Sequence, residues 1–219
     1  WKYQRYVKNY LRCIDSVDEN VGRVLDYLDE NGLAENTIVI YSSDQGFYLG
    51  EHGWYDKRWM YEESLRMPFL IRWPGVVKPG SRNEQLIQNI DYAPTFLEAA
   101  GLEIPEGVQG KSMMPLFKDA QTNQWRDYIY YHYYEHMTEH MVPRHEGVRG
   151  KRYKLMNLYS NDGYNLYDLE TDPLEMTDLS GNPEYKETLI HMKGQLDRLR
   201  AHYDMPSYEA SINALPKRQ

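Results

Sequence analysis

The stretch Thr37-Ile38-Val39-Ile40-Tyr41-Ser42-Ser43-Asp44-Gln45-Gly46 decides the fold. Ile38 to Tyr41 is a short β-branched run without alternation, which reads as a central parallel strand. It stops abruptly at an acid, an amide and a glycine. In an open α/β sheet, ligands gather just beyond the carboxyl ends of the strands. Asp44 and Gln45 therefore stand where a site would be built. Both offer oxygen, which suits calcium or magnesium and not zinc. A lone acid at a strand end also caps turns, so the metal reading needs its context. A hard cation takes roughly six oxygens, so any remaining ligands would lie elsewhere.

Working outward, apolar residues upstream fall at Tyr10, Cys13, Ile14, Val17, Val21, Val24, Leu25 and Leu28. That spacing predicts an amphipathic helix from Tyr6, closed by Asn31-Gly32. Downstream, residues 44–64 form a glycine- and aromatic-rich loop without periodicity, and loops of that length are usually functional. Phe69 to Trp73 reads as a second strand and Leu86 to Ile90 as a third. A helix follows from Asp91 through Ala100, stopped by Gly101. The alternation is that of an α/β layer.

Past residue 120 the pattern changes. Residues 128–134, 146–159 and 164–169 are tyrosine-rich strand candidates, with Gly147, Gly150 and Asn161-Asp162-Gly163 as breaks between them. Pro183 opens a helix carrying Leu189, Met192, Leu196, Leu199 and Tyr203. The expected organisation is an α/β domain over residues 1–120. A smaller α+β subdomain, an antiparallel sheet with a terminal helix, covers 121–219.

Composition sets the outer limits. The 219 residues are 41% apolar and 26% charged, enough for a folded core. A net charge of −8 argues against nucleic acid as a partner, because phosphate contacts need a clustered basic surface. A local basic pocket for a small anion stays open. The 21 tyrosines fit amphipathic strands or, alternatively, a sugar-stacking surface. Cys13 is the single cysteine, so no internal disulfide forms. No apolar run approaches the roughly 20 residues of a membrane span. The chain opens on Trp1 with residues that look like a protein interior, which reads as a piece of something longer.

Among chemistry-bearing residues, Lys57 is the natural anion partner, a compact charge on a flexible stem. Asp56 and Arg58 flank it, and Arg58 could hold a carboxylate or sulfate through two parallel hydrogen bonds. They could equally form a surface ion pair. His52, in Gly50-Glu51-His52-Gly53, suits a proton donor, an anion ligand or a structural donor. Glu62-Glu63 is weak as a catalytic acid pair because adjacent residues diverge. His145, between Arg144 and Arg149, suits a sugar-contacting loop or a structural role. His132, His136 and His140 are spaced by four, but the aromatic run before them reads as strand, which sets zinc aside.

Taken together, these residues resemble the sulfatase family of the alkaline-phosphatase-like superfamily, over almost the whole chain. The resemblance runs through Ser16 to Gly22, Ser43-Asp44-Gln45-Gly46, Gly50-Glu51-His52-Gly53, Lys57, Arg66 to Gly75, Asp91-Tyr92-Ala93-Pro94-Thr95 and Gly110-Lys111-Ser112. It continues in Gly147-Val148-Arg149, Tyr153-Lys154-Leu155, Leu166 to Leu169 and Asp172-Pro173. The fold it implies is the C-terminal part of an alkaline-phosphatase-like sandwich plus the small α+β subdomain.

The resemblance implies hydrolysis of a sulfate ester, with a formylglycine nucleophile and a calcium ion as Lewis acid. Asp44 and Gln45 match the later pair of calcium ligands, although many relatives carry Asn or His at the second position. Lys57 matches the sulfate-holding lysine, and His52 is carried with it as a catalytic candidate. The Trp54-Tyr55-Asp56-Lys57-Arg58 neighbourhood looks most like sulfatases of sulfated glucosamine or related glycans, with Asp56, Arg58 and His145 on the sugar.

The formylglycine precursor motif and the early pair of metal-binding aspartates are missing, since Cys13 is followed by Asp15 and Val17. The expectation is that they belong to an N-terminal remainder, and that this chain alone neither binds calcium tightly nor turns over sulfate esters. The alternatives are a phosphoric or phosphonic monoester hydrolase of the same superfamily, or a non-catalytic glycan-binding module. The family resemblance also implies a periplasmic or extracellular location.

Overall fold

The computed structural model describes residues 1–118, 124–135, 141–159 and 163–206. Helix α1, Lys2–Glu30, is the amphipathic helix its periodicity predicts, and it ends at Asn31, whose side-chain amide donates to Tyr27 O at 2.8 Å. Gly32 then leaves with φ of 66°, a conformation glycine reaches without steric cost. None of the residues of α1 is buried, and Leu11, Val17, Val24 and Tyr27 stand exposed along it. No described helix is long and apolar enough to cross a membrane.

Strand β1, Val39–Ser42, pairs with β2, Phe69–Arg72, in an antiparallel two-stranded sheet, Val39 opposite Arg72 and Ser42 opposite Phe69. The central parallel placement is thus corrected. A parallel neighbour needs a crossover connection, whereas the segment from 43 to 68 turns the chain back along the strand it left. A short β-branched run is compatible with either arrangement. Between the two strands lie a 3-10 turn, Glu51–Gly53, and a short α-helix, α2, Glu62–Leu65.

The expected third strand at Leu86–Ile90 is not one. Its backbone groups are taken by side chains: Leu86 O accepts from Trp125 Nε1 at 2.7 Å, and Gln88 N–H donates to Asp91 Oδ2 at 2.8 Å. A 3-10 turn, Asn89–Asp91, leads directly into α3, Tyr92–Ala99, and α4 follows at Met114–Lys118.

The second part is an antiparallel meander of β3 (Tyr128–Tyr133), β4 (His145–Gly150), β5 (Tyr153–Leu158) and β6 (Gly163–Asp168), followed by α5, Lys186–His202. The single candidate over 146–159 is therefore two strands, turning at Lys151-Arg152. Gly147 is no break; it lies inside β4, opposite Tyr131 and Met156. Asn161 and Asp162, as well as His136 and His140, lie outside the described residues.

Side chains alternate across this sheet, and both faces are covered. On one face Val148, Leu155 and Leu166 pack with Met192, Leu196 and Leu199 of α5. On the other, Met156 and Tyr167 pack with Met60 from the segment between β1 and β2. A third cluster joins Met113, Leu116 and Trp125 with Phe69, Ile87 and Tyr92. Arg126 makes a two-pronged ion pair with the fully buried Asp91, one contact being 2.7 Å. Packing therefore runs straight across the expected boundary at residue 120.

Candidate functional site

The segment from 43 to 66 has little regular structure, so side chains hold it. Tyr48 is its pivot. Its ring is fully buried, its hydroxyl donates to Trp59 O at 2.9 Å and accepts from Tyr61 N–H at 3.2 Å. Its own N–H donates to Asp56 O at 2.8 Å. The loop is thereby folded back on itself, with Lys57 on the returning limb.

Helix α2 then joins the two limbs. Gly46 N–H donates to Ser64 O at 2.7 Å, and Ser64 Oγ donates to Lys57 O at 2.6 Å. One buried serine thus ties the residue after Asp44-Gln45 to Lys57. The approach at Gly46 excludes any side chain, because a Cβ there would sit 1.9 Å from Glu63 O.

Asp44 is exposed, and its backbone carbonyl accepts from Asn89 Nδ2 at 2.9 Å. Its carboxylate lies 3.5 Å from Ser43 Oγ, a weak contact that leaves it available to a cation. Gln45, half-buried, adds an amide oxygen donor. The donor chemistry fits a hard cation such as calcium. Among the described residues no cluster of three or more His, Cys, Asp or Glu completes a metal site.

His52 sits in the left-handed region at φ 51°, in the turn Glu51–Gly53. Its ring stacks on Tyr61 at 3.9 Å between centroids, and Nε2 faces Glu63 at 3.6 Å. Asp56 and Arg58 are ion-paired with each other, and Glu135 lies 3.9 Å from Arg58 Nε. Tyr131 of β3 donates its hydroxyl to Arg58 O at 2.8 Å, fastening this limb to the sheet.

His145 is placed differently from the expected sugar-contacting loop. It begins β4 and is fully buried, enclosed by the rings of Trp59, Tyr131 and Tyr133 at 5.1, 5.5 and 5.4 Å. Nδ1 donates to Pro143 O at 2.9 Å, which leaves Nε2 as an acceptor without a partner among the described residues. Burial pushes its pKa down to about 4, so the ring is neutral at physiological pH.

Sequence reasoning missed the charges beneath α2. Glu62 Oε2 meets Arg149 at 3.0 Å, and Glu62 Oε1 meets Lys154 Nζ at 2.8 Å. Lys154 also meets Glu175 at 2.8 Å. Burial alone would raise the Glu62 pKa, but Lys154 and Arg149 override it and draw the carboxyl down to about 2. Glu175 shares only Lys154, and there burial wins and raises its pKa. A usable signal was Lys154 itself, alternating with apolar neighbours in a strand covered on both faces.

This architecture is that of solved sulfatases of alkaline-phosphatase-like fold. The solved structure of BT4656 in complex with its substrate D-glucosamine-2-N,6-O-disulfate superposes with a TM-score of 0.91 at 44% identity, over 94% of this chain and 42% of that one. A phosphonate monoester hydrolase from Silicibacter pomeroyi superposes less closely, with a TM-score of 0.74 at 27% identity, over 85% of this chain and 39% of that one. An N-acetylglucosamine-6-O-sulfatase of Bacteroides thetaiotaomicron is 45% identical over 206 residues, which is 93% of this chain and 37% of that protein. The family model for N-sulphoglucosamine sulphohydrolase, C-terminal, matches residues 50–202. The chain belongs to the sulfatase family. It spans about two fifths of the length of these relatives.

Proposed function

We propose that this chain supplies part of the active site of a sulfuric ester hydrolase acting on sulfated carbohydrate, with N-acetylglucosamine 6-sulfate the first substrate to try. The observation that carries the proposal is the Ser64 junction, which ties the Asp44-Gln45 corner and Lys57 to one point of a sulfatase fold. The names of the relatives support the sugar class.

In this reading Lys57 pairs its ammonium with sulfate oxygens and holds the ester in place. His52, held between Tyr61 and Glu63, carries or delivers a proton near the leaving oxygen. Asp44 and Gln45 would hold calcium together with ligands from an N-terminal remainder of the protein. When bound, that ion supplies Lewis-acid polarisation of the sulfate. Asp56 and Arg58 offer hydrogen bonds to sugar hydroxyls or flanking acidic groups. His145, buried behind Trp59, Tyr131 and Tyr133, supports the wall of that subsite.

The test is sulfate release by the full-length protein from N-acetylglucosamine 6-sulfate. Lys57→Ala and Asp44→Ala should each lower kcat/KM by about 100-fold or more. Preferential release of phosphate from phosphate or phosphonate monoesters would favour the phosphohydrolase reading, to which the Silicibacter relative points. Glycan binding without turnover would favour a binding module.

A further inference from the structure

The buried charges beneath α2 are more than the fold needs. Lys154 is wholly buried, and Glu175 is 2% exposed. Removing two ions from water is costly, and well-packed apolar residues often stabilise as well as a buried ion pair. Glu175 also adopts φ of 52°, a left-handed conformation that a non-glycine residue takes up only when its surroundings impose it. Both features point to a purpose other than stability.

What the cluster touches supplies that purpose. Glu175 Oε2 accepts the N–H of Glu62 at 2.7 Å, at the start of α2, while its Oε1 meets Lys154. Glu62 is gripped from below by Lys154 and Arg149. Helix α2 is four residues long, too short to hold itself. Yet it carries Ser64, which binds Gly46 and Lys57, and Glu63, which faces His52. The ion pairs and side-chain hydrogen bonds of the cluster converge on Glu62 of α2, and α2 leads to the proposed site.

We infer that Lys154 and Glu175 are positioning residues for the proposed sulfate-ester chemistry. They act through α2 to set the spacing between the Asp44-Gln45 corner and Lys57. The inference rests on the sulfatase reading of those residues.

The experiment uses the full-length protein with three changes: Lys154→Met together with Glu175→Gln, which removes the buried charges at similar volume; Ser64→Ala, which cuts the link to Lys57; and their combination. Hydrogen exchange followed by mass spectrometry should show lost protection in peptides covering 44–66 in the double variant, with β3–β6 unchanged. Calcium affinity, measured calorimetrically without substrate, and kcat/KM on N-acetylglucosamine 6-sulfate should each fall about 10-fold or more. The Ser64→Ala effect on kcat/KM should be largely absorbed in the double-variant background, because both act through one chain of contacts. Lys154→Arg should restore part of the activity. Unchanged protection over 44–66, protection lost equally across the sheet, or effects that simply multiply would each overturn the inference. Absence of sulfate release by the unaltered protein would instead sink the functional reading, leaving the exchange measurement to judge the positioning role.

Discussion

The two faces of the β3–β6 sheet are built to different ends. The face toward α5 is packed by Val148, Leu155, Leu166, Met192, Leu196 and Leu199, an apolar surface that α5 covers as one element. The opposite face meets an irregular loop through Met60, Met156 and Tyr167, with the Glu62, Arg149, Lys154 and Glu175 charges beside them. Apolar contact is non-directional, whereas paired charges and hydrogen bonds demand particular distances and angles. The first face therefore carries stability, and the second fixes where the site residues stand.

Leu155→Ala attacks the α5 face and should have the largest effect, about 2–5 kcal/mol lost in urea unfolding. Both faces should fail in one transition; survival of a folded loop after the sheet melts would break the comparison. His145 tests the loop face through pH. Its imidazole gains a proton near 6.5 when unfolded but only at about 4 in the fold. The unfolded chain therefore binds more protons within that window, and stability falls as pH drops from 6.5 to 4, by up to about 3 kcal/mol. His145→Phe should flatten that slope, and an unchanged slope would show that other groups set it.

Gly147→Ala sharpens the contrast, since a Cβ there meets Met60 Sδ at 2.3 Å and Leu155 O at 2.4 Å. The expected cost is about 1–3 kcal/mol, with faster proteolysis of the 44–66 segment than of the sheet. The smallest effect belongs to neither face. Asn182 accepts Glu184 N–H at 3.0 Å before α5, and Asn182→Ala should cost about 1 kcal/mol while leaving the site loop as it was.

Much of this was legible in the chain. The periodicity of α1, the first and last of the tyrosine-rich strand candidates and the apolar positions of α5 are local patterns, and they emerged where expected. Asp44, Gln45 and Lys57 could be singled out as candidates because a strand end and a lysine-bearing loop are sequence features. The antiparallel partner of β1 was not, because pairing direction depends on how a distant segment returns. The Leu86–Ile90 segment misled because its strand-like composition says nothing of Trp125 and Asp91, which took its backbone groups. Of the two readings of His145, a sugar-contacting loop or a structural role, flanking arginines could not choose, because they do not reveal three rings closing over a side chain. Ser64, Lys154 and Glu175 were passed over because their importance lies in contacts spanning up to 113 positions, such as Glu62 N–H to Glu175.

The contacts of Trp125 and Arg126 bear on how this chain can be recombined. A hybrid that exchanges everything after residue 120 for the matching piece of a relative makes the indole on Leu86 and the guanidinium on Asp91 depend on what that piece brings. An incoming piece without a guanidinium at that place would leave the Asp91 carboxylate sealed without its counter-ion. A crossover upstream of Leu86 keeps this lock whole, although it divides Glu62 from Arg149, Lys154 and Glu175.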